Sequence, residues 1–454
     1  MRILGAPLSS WVYLTIAVLT VVSVVVDWNL VAPLTAGLIV LYLLIEIPKS
    51  AATPRAIGLI LIGLGLVAAA IGGDLQATAL DGFSRSRTFV LLFFAVSWLQ
   101  IPARESPSLQ AAREMITSQP PGRRFLAVAL GVHGLGAVLN LAGLSLVATM
   151  IEKKMDGTLL KRLTTALMLG FTSASCWSPF YVSMTVVLTA IPTLQWIKVA
   201  PFGFAIAMVA IAGGWMFDRL VSRRGAQKAI DAPAQLSAEQ RKNTIGVLGV
   251  LGVLVVGLVE IAGVSIPVAL GLIAPPFAIV WVAAMAPSRY ARRARMGDLI
   301  KRVVNGLPEL RNEVLVFVGA TVFGVGVSTL IPAADLSVFL DTWLPSIDLR
   351  LAVLTFGITI FGMIGMHPVI VVILIGEVLP PEVLGVPDWI MGLALLGVWG
   401  LSTMVNPFSA TTLYLARVGG GSGYTMAWHW NPPFVFIAVG VVTVAVVLLR
   451  HLAM

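Results

Sequence analysis

The hydrophobic positions of the chain form long, nearly uninterrupted runs separated by short polar connections. Most runs are long enough for a helix of about 20 residues, the length that crosses a bilayer. A run that is apolar on every side must face lipid or lie deep within a bundle, so the pattern predicts an all-α integral membrane protein. The eleven predicted spans are residues 11–27, 29–47, 56–72, 88–101, 163–191, 199–217, 244–264, 266–286, 314–331, 389–416 and 432–449.

Two further apolar segments, 125–151 and 351–379, are longer than one span needs and contain several helix breakers. The first includes Asn140, and the second includes His367 and Pro368. Each segment could be one glycine-rich helix or a re-entrant hairpin, since glycine and proline are common in membrane helices. Basic residues flank the first segment on both sides, and mostly acidic residues flank the second. A spanning helix would place its two flanks on opposite sides of the membrane, whereas a hairpin returns to the side from which it entered. Because both flanks of each segment are alike in charge, we expect one hairpin that enters from the cytoplasm and one that enters from outside.

Composition narrows the class of protein. The chain has 454 residues, of which 58% are hydrophobic and only 11% charged. A soluble domain carries about 25% charged residues, so soluble enzymes, secreted disulfide-rich proteins and disordered regulators are excluded. The single Cys176 excludes an internal disulfide and a cysteine-based metal cluster.

The net charge of +9 is a topology signal. With the N-terminus inside, 25 of the 30 Lys and Arg residues fall on the cytoplasmic side, as the positive-inside rule requires. The distribution argues against nucleic-acid binding. It predicts a multi-pass protein of the bacterial cytoplasmic (inner) membrane with a cytoplasmic N-terminus and a periplasmic C-terminus.

The chain contains an internal inverted repeat. Pro179 and Phe180 align with Pro407 and Phe408 at a constant offset of 228 residues. In addition, the order of three spans, a hairpin, a broken span and a final span occurs twice. Because each copy has an odd number of spans, the second copy enters the membrane from the opposite side. Such an inverted-topology repeat is typical of secondary transporters. The predicted parts are an extra helix within 1–28, repeat 1 over 29–220, a cytoplasmic linker over 221–243 and repeat 2 over 244–454.

Candidate binding chemistry lies in the two broken spans, 163–191 and 389–416, and at the hairpin turns. The predicted helix-breaking residues are Pro179, Pro407 and Pro368. Pro179 and Pro407 each remove a backbone donor within a cluster of small polar residues, and Pro368 marks the second hairpin turn. Freed carbonyls and hydroxyls suit a hard cation, whereas helix N-termini suit an anion. The predicted substrate ligands are Asn140, Ser175, Ser178, His367, Thr403, Asn406 and Thr411, and the predicted cation ligands are Ser173, Ser183, Ser409 and Thr412. The alternative is that these hydroxyls only bond within kinked helices or join neighbouring helices.

The two intramembrane histidines receive different interpretations. His367 could bind an anionic solute, carry a coupled proton or simply cap its hairpin. His133 has no polar neighbour in sequence and is expected to be structural. Glu46, Glu260 and Glu377 lie near predicted span ends and are expected to be interfacial, so a carboxylate proton relay is not indicated.

The order of one extra helix and two inverted repeats resembles the ion transporter superfamily. Within it, the pattern is most similar to the divalent-anion/sodium symporters, with arsenite permeases and citrate carriers as relatives. The hairpin tips hold Asn140 and His367-Pro368 in place of that family's Ser-Asn-Thr motif. The resemblance implies a homodimer in which a transport domain moves solute past a scaffold domain by an elevator motion.

The sequence therefore predicts a secondary active transporter of a small carboxylate or oxyanion, coupled to Na⁺ or H⁺. The expected partners are the solute, the lipid bilayer and a second copy of the chain, with no nucleic acid and no cofactor or metal except Na⁺ as a coupling ion. The alternatives are a membrane enzyme acting on a lipid-linked substrate and a passive channel. The chain has neither a His-Glu-x-x-His pair nor a Gly-x-Ser-x-Gly elbow, which favours a protein that is not an enzyme.

Overall fold

The computed structural model describes residues 2–3, 5–24, 26, 28–151, 155–222 and 234–453, and nearly all of them are helical. A short antiparallel ribbon pairs β1, Arg2–Ile3, with β2, Ala6–Pro7. The helices are α1 Leu8–Val22, α2 Val31–Glu46, α3 Ala52–Gly72, α4 Leu75–Arg85, α5 Arg87–Glu105, α6 Pro107–Thr117, α7 Pro121–Leu139, α8 Leu141–Ala148, α9 Gly157–Ser173, α10 Val182–Ala190, α11 Trp196–Phe217, α12 Ala238–Ala262, α13 Ile266–Ala284, α14 Arg289–Gly306, α15 Arg311–Ser328, α16 Ala333–Trp343, α17 Ile347–Met363, α18 Pro368–Val378, α19 Pro381–Leu384, α20 Asp388–Val405, α21 Ala410–Gly419 and α22 Pro432–Leu452. Shorter 3₁₀ turns lie at Ile47–Lys49, Ala174–Cys176 and Leu307–Leu310, and π turns at Asp218–Ser222 and Thr425–Trp430.

The number of membrane-crossing helices agrees with the sequence pattern. Within the described ranges, 10 helical segments are long and apolar enough to cross a membrane, or 11 if the bent pair α16 and α17 forms one span. The prediction of an all-α, multi-pass membrane protein is therefore confirmed, but the individual spans differ. The predicted spans 11–27 and 163–191 are not among these helical segments, whereas Gly122–Leu139 is one of them although it lies in the first predicted hairpin. The first predicted span is wrong in its extent, because α1 has only 15 residues and ends at Val22, well before residue 27.

Several helices lie where the sequence pattern predicts only connections. The basic segment after α13 forms the helix α14, and α4, α6 and α16 are helices of 11 residues each. Their polar composition produces no long apolar run, which is the reason the pattern misses them. The predicted linker at 221–243 lies partly outside the described residues, which omit 223–233.

The chain divides into two compact units, and each unit takes segments from both predicted repeats. Unit 1 consists of Met1–Ser106, Gly249–Ala333 and Ile373–Val378, and unit 2 of Pro107–Leu248, Ala334–Val372 and Leu379–Met454. Unit 2 contains α7, α8 and both broken helices, α9–α10 and α20–α21. The units therefore do not coincide with the sequence repeats.

Glycines allow the backbones of α3 and α15 to touch inside unit 1. Gly58 and Gly65 are seven residues apart on α3, as Gly319 and Gly326 are on α15. A Cβ atom added at Gly65 would lie 2.5 Å from the Val322 carbonyl oxygen. One added at Gly319 would lie 2.9 Å from the carbonyl oxygen of Gly58. Such close approach of small residues is a main source of helix association in lipid, where apolar burial gives little driving force.

We expect Gly65→Val to destabilise the protein, because the added side chain would have to displace the α15 backbone. Overpacking of this kind costs about 1–3 kcal/mol and sometimes more. Thermal unfolding of the purified protein in detergent would measure the change. Gly63→Val is the matched control on the same helix, because nothing lies within 4 Å of a Cβ added there. Equal melting temperatures for the two variants would contradict this account of the helix contact.

Two of the glutamates that the sequence places at span ends are held in ion pairs within unit 1. Glu46 is 1% exposed. Its carboxylate accepts hydrogen bonds from Ser9 at 2.7 Å, from Lys49 at 2.7 Å and from Arg311 at 2.9 Å. Glu377 pairs with Arg85 at 2.9 Å.

Candidate functional site

The first broken helix of unit 2 is interrupted at Pro179, between α9 and α10. In a regular helix, residue 179 would donate its N–H to the carbonyl of Ser175, four residues earlier, but proline has no N–H. The hydroxyl of Ser183 donates to that carbonyl instead, at 2.9 Å. The carbonyl freed by the proline therefore has a partner at the start of α10.

The second broken helix repeats this exchange of partners at Pro407, between α20 and α21. Pro407 frees the carbonyl of Thr403, and the hydroxyl of Ser409 donates to it at 3.0 Å. The Ser409 hydroxyl also accepts the backbone N–H of Thr412 at 3.2 Å and so caps α21. The Thr412 hydroxyl lies 3.5 Å from the same Thr403 carbonyl.

The residue before each proline connects the break to a neighbouring helical turn. The hydroxyl of Ser178 donates to the carbonyl of Ala137, near the end of α7. The side-chain amide of Asn406 donates to the carbonyl of Met366, between α17 and α18, at 2.8 Å. Each side-chain oxygen also accepts the backbone N–H two residues later. Ser178 and Asn406 are separated by the repeat offset of 228, so equivalent positions make equivalent contacts.

The turn between α7 and α8 is centred on Asn140. α8 folds back on α7, since a Cβ atom added at Gly143 would lie 2.7 Å from the carbonyl oxygen of Leu135. Asn140 has a φ of 53°, and it is the one non-glycine residue of the described chain with positive φ. Its side-chain oxygen accepts the N–H of Leu141 at 2.8 Å, and its amide donates to the Phe180 carbonyl at 3.2 Å. Its ψ of −135° lies outside the left-handed helical region that asparagine commonly adopts, so these two side-chain hydrogen bonds help to hold the turn.

The turn between α17 and α18 contains Gly365, whose φ is 101°, and His367. The Nδ1 atom of His367 accepts the N–H of Val369 at 3.2 Å, which places the ring proton of the neutral imidazole on Nε2. The ring lies edge-on to Trp399, with 6.5 Å between the ring centroids. The sequence predicts that Pro368 breaks a helix, but in the structure it does not. It is the first residue of α18, where its missing N–H leaves no carbonyl unpaired.

His133 contacts the first break through hydrogen bonds that its sequence neighbours do not indicate. Its Nε2 atom accepts the indole N–H of Trp177 at 3.1 Å, and its Nδ1 lies 2.9 Å from the Ser173 hydroxyl. Because indole only donates, the ring proton is on Nδ1 and is donated to Ser173. Ser173 in turn donates to the Gly170 carbonyl at 3.1 Å. This chain joins α7 to the first break across 40 residues of sequence, so no local motif could reveal it.

Asn431 makes a contact at the second break that the sequence analysis misses. It is 1% exposed, and its amide donates to the carbonyl of Met404 at 2.8 Å. The start of α22 is thereby joined to the end of α20.

The predicted ligands form two groups in unit 2. Asn140, Ser175 and Ser178 lie at the first break, whereas His367, Thr403 and Asn406 lie at the second. Gly400 of α20 packs against the first break, since an added Cβ would lie 2.9 Å from the Ser175 hydroxyl. The hydroxyls of Ser175 and Thr403 donate to carbonyls three residues earlier, at 2.6 and 2.7 Å.

Thr411 is buried in the first turn of α21. Within the described ranges, the structure contains no group of three or more His, Cys, Asp or Glu side chains that could hold a metal ion.

The fold is similar to those of two solved membrane proteins. The YdaH transporter of Alcanivorax borkumensis matches with a TM-score of 0.56 over 87% of this chain and 96% of that chain, at 15% identity. MtrF of Neisseria gonorrhoeae, described within a class of antimetabolite efflux pumps, matches with a TM-score of 0.52 over 86% and 94%, at 14% identity. No protein-family model and no curated protein matches the sequence.

At this level of identity, the similarity concerns the fold alone, and this fold is one that transporters use. The prediction of a transporter-like membrane architecture is confirmed to that extent. Neither neighbour is described as a divalent-anion/sodium symporter, so the resemblance to that family stays a prediction.

Proposed function

We propose that the protein is a secondary active transporter of a small anionic solute, coupled to Na⁺ or H⁺, in a bacterial inner membrane. The observation that carries the proposal is the matching pair of proline breaks in unit 2. In each, the residue before the proline bonds to the turn of a neighbouring helix pair. Non-helical backbone at membrane depth is tolerated only where protein buries it or it lines a water-filled cavity. Paired discontinuous helices of this kind hold the substrate sites of secondary transporters.

Helix N-termini at the site support an anionic solute. Four helices begin at the two breaks and the two turns, namely α8, α10, α18 and α21. Helix N-termini carry partial positive charge, which suits a carboxylate or an oxyanion. The predicted ligands include two amides, one imidazole and several hydroxyls, but no carboxylate that would repel an anion.

The coupling ion has candidate ligands of two kinds. Oxygen atoms suitable for Na⁺ gather at each freed carbonyl, with Ser183 at the first break and Ser409 and Thr412 at the second. Ser173, the remaining predicted cation ligand, is held by His133. If H⁺ is the coupling ion, the candidate carriers are His133 and His367, the histidines of unit 2 beside the breaks and turns.

The finer mechanism extends this proposal. Unit 2 would be the transport domain and unit 1 the scaffold of an elevator transporter, and the protein would act as a homodimer. Support comes from the placement of both breaks and both turns in unit 2. The backbone contacts of α3 with α15 supply a rigid helix pair of the kind that a scaffold needs.

A ligand screen followed by flux measurements would test the function. Thermal unfolding with small carboxylates, sulfate and arsenite, with and without Na⁺ and across pH, should identify the solute, because a ligand that binds only the folded state stabilises it. The solute should then move across proteoliposome membranes saturably and in response to an ion gradient. Uptake and efflux should both be measured, since MtrF belongs to a class of efflux pumps. Unsaturable flux would indicate a channel. Turnover of a lipid-linked substrate without flux would indicate an enzyme.

Within that assay, we expect His367→Ala to weaken transport about tenfold to a hundredfold. A hydrogen bond to a charged group contributes about 1.5–3 kcal/mol, and each 1.4 kcal/mol is a factor of ten in affinity. The apparent affinity for the solute is the quantity to compare. His429→Ala is the control, because that imidazole is exposed in the turn before α22. An unchanged affinity in the His367 variant would remove this residue from the binding site.

A further inference from the structure

A groove of about 350 Å³ opens at one end of unit 2. Lys161 and Arg162 of α9 line it, together with Phe217 and Val221 from the end of α11 and Trp430 from the turn before α22. A groove of this size is within the range that holds small ligands. The predicted solute ligands are not among its lining residues, so the groove is separate from the proposed solute site.

Two cationic side chains are among the described residues that line this groove. Arg162 and Asp218 are both buried and form a two-pronged ion pair with distances of 2.7 and 2.8 Å, which neutralises one cation. Lys161 is half-buried and forms no ion pair with any described residue. The Lys161 ammonium is therefore a cation of the groove that can pair with an anionic ligand.

Exposed aliphatic side chains continue from the cationic groove. Met216, Leu220 and Val221 are 57%, 78% and 57% exposed at the end of α11 and in the π turn that follows. An inorganic anion would use only the cations and would leave these side chains uncovered. An amphiphile with an anionic head group would use both surfaces. The sequence places this end of unit 2 on the cytoplasmic side, where anionic lipids attract basic residues.

We propose that the groove binds the head group of an anionic phospholipid. The phosphate lies beside Lys161 and Arg162. The acyl chains run along Met216, Leu220 and Val221. This site is distinct from the proposed solute site and does not depend on which solute is transported.

A lipid titration with matched variants tests the proposal. Purified protein in neutral detergent is titrated with phosphatidylglycerol or phosphatidylcholine of the same chain length, and the dissociation constant is obtained from the shift in thermal unfolding. Phosphatidylglycerol should stabilise the protein, and phosphatidylcholine should do so far less. Lys161→Gln should raise the dissociation constant for phosphatidylglycerol about tenfold, the equivalent of one charge contact of about 1.4 kcal/mol. Lys242→Gln, which removes an exposed lysine elsewhere in unit 2, should leave it unchanged.

A second variant and a free anion separate the possible ligands. Leu220→Ser removes the most exposed aliphatic side chain without altering a cation, so it should weaken phosphatidylglycerol binding even if the Lys161 variant does not fold. Inorganic phosphate at the same concentration should stabilise the protein little. Equal stabilisation by phosphate and phosphatidylglycerol would show that the groove binds a free anion and not a lipid. Equal binding of the two lipids, or unchanged binding in both variants, would overturn the proposal.

Discussion

Asn406→Ala should abolish solute transport while the protein remains folded. Asn406 is 1% exposed, and its side chain holds two backbone groups, the Met366 carbonyl and the Phe408 N–H, each at 2.8 Å. Alanine would leave both without that partner at a cost of about 1–3 kcal/mol each. The loss would separate the second break from the turn that contains His367. Flux in proteoliposomes measures the effect, and size-exclusion chromatography verifies folding.

Related variants distinguish the lost contact from a general effect of mutation. Asn406→Asp keeps an acceptor for Phe408 but no longer donates to Met366, so it should also lose transport. Ser178→Ala removes the equivalent contact at the first break and should impair transport in the same way. Asn305→Ala, at an exposed position of α14, is the control and should transport normally. Normal flux through the Asn406→Ala variant would show that the link between break and turn is dispensable.

Arg162→Met should cause the largest loss of stability among single charge removals in unit 2. The side chains of Arg162 and Asp218 are only 8% and 5% exposed. Removing the arginine would leave the carboxylate buried without its counter-ion, which typically costs about 3–5 kcal/mol. The melting temperature of the purified protein should fall accordingly, whatever solute or lipid the protein binds.

The second half of that experiment is a double variant. Arg162→Met combined with Asp218→Leu should recover most of the lost stability, because replacing both members of a buried pair with apolar side chains is often neutral or stabilising. Arg302→Met is the matched control, since its pair with Glu105 is 44% and 40% exposed and such surface pairs contribute about 0–1 kcal/mol. A double variant as unstable as Arg162→Met would show that packing by the arginine stem matters more than charge.

The breaks and turns could be predicted because their causes are local. Proline removes an N–H wherever it occurs, but Pro102 and Pro201 lie inside continuous helices. Pro179 and Pro407 stand out because each lies within a cluster of small polar residues. Asn140 stands out because a polar residue among glycines in an apolar run suggests a turn. The same locality explains why most spans could be placed, since hydrophobic length is a property of each segment alone.

The features that could not be predicted depend on distant partners. His133 joins Ser173 and Trp177, which are 40 and 44 residues away, and nothing beside it in sequence indicates either bond. The same holds for Asn431 and the Met404 carbonyl. The division into two units also depends on packing between remote segments, which is why it cuts across the sequence repeats.

The hydroxyl groups at the two breaks have a mechanical consequence. A helix bends easily at a proline kink with an unpaired carbonyl, because the carbonyl can exchange hydrogen-bond partners as the kink angle changes. At Ser175 and Thr403 the carbonyl is already occupied by Ser183 and Ser409. Each bend is therefore braced by a hydrogen bond within the protein. Under the proposed transport function, bending would fall to the glycine-containing turn at Gly365 rather than to the two breaks.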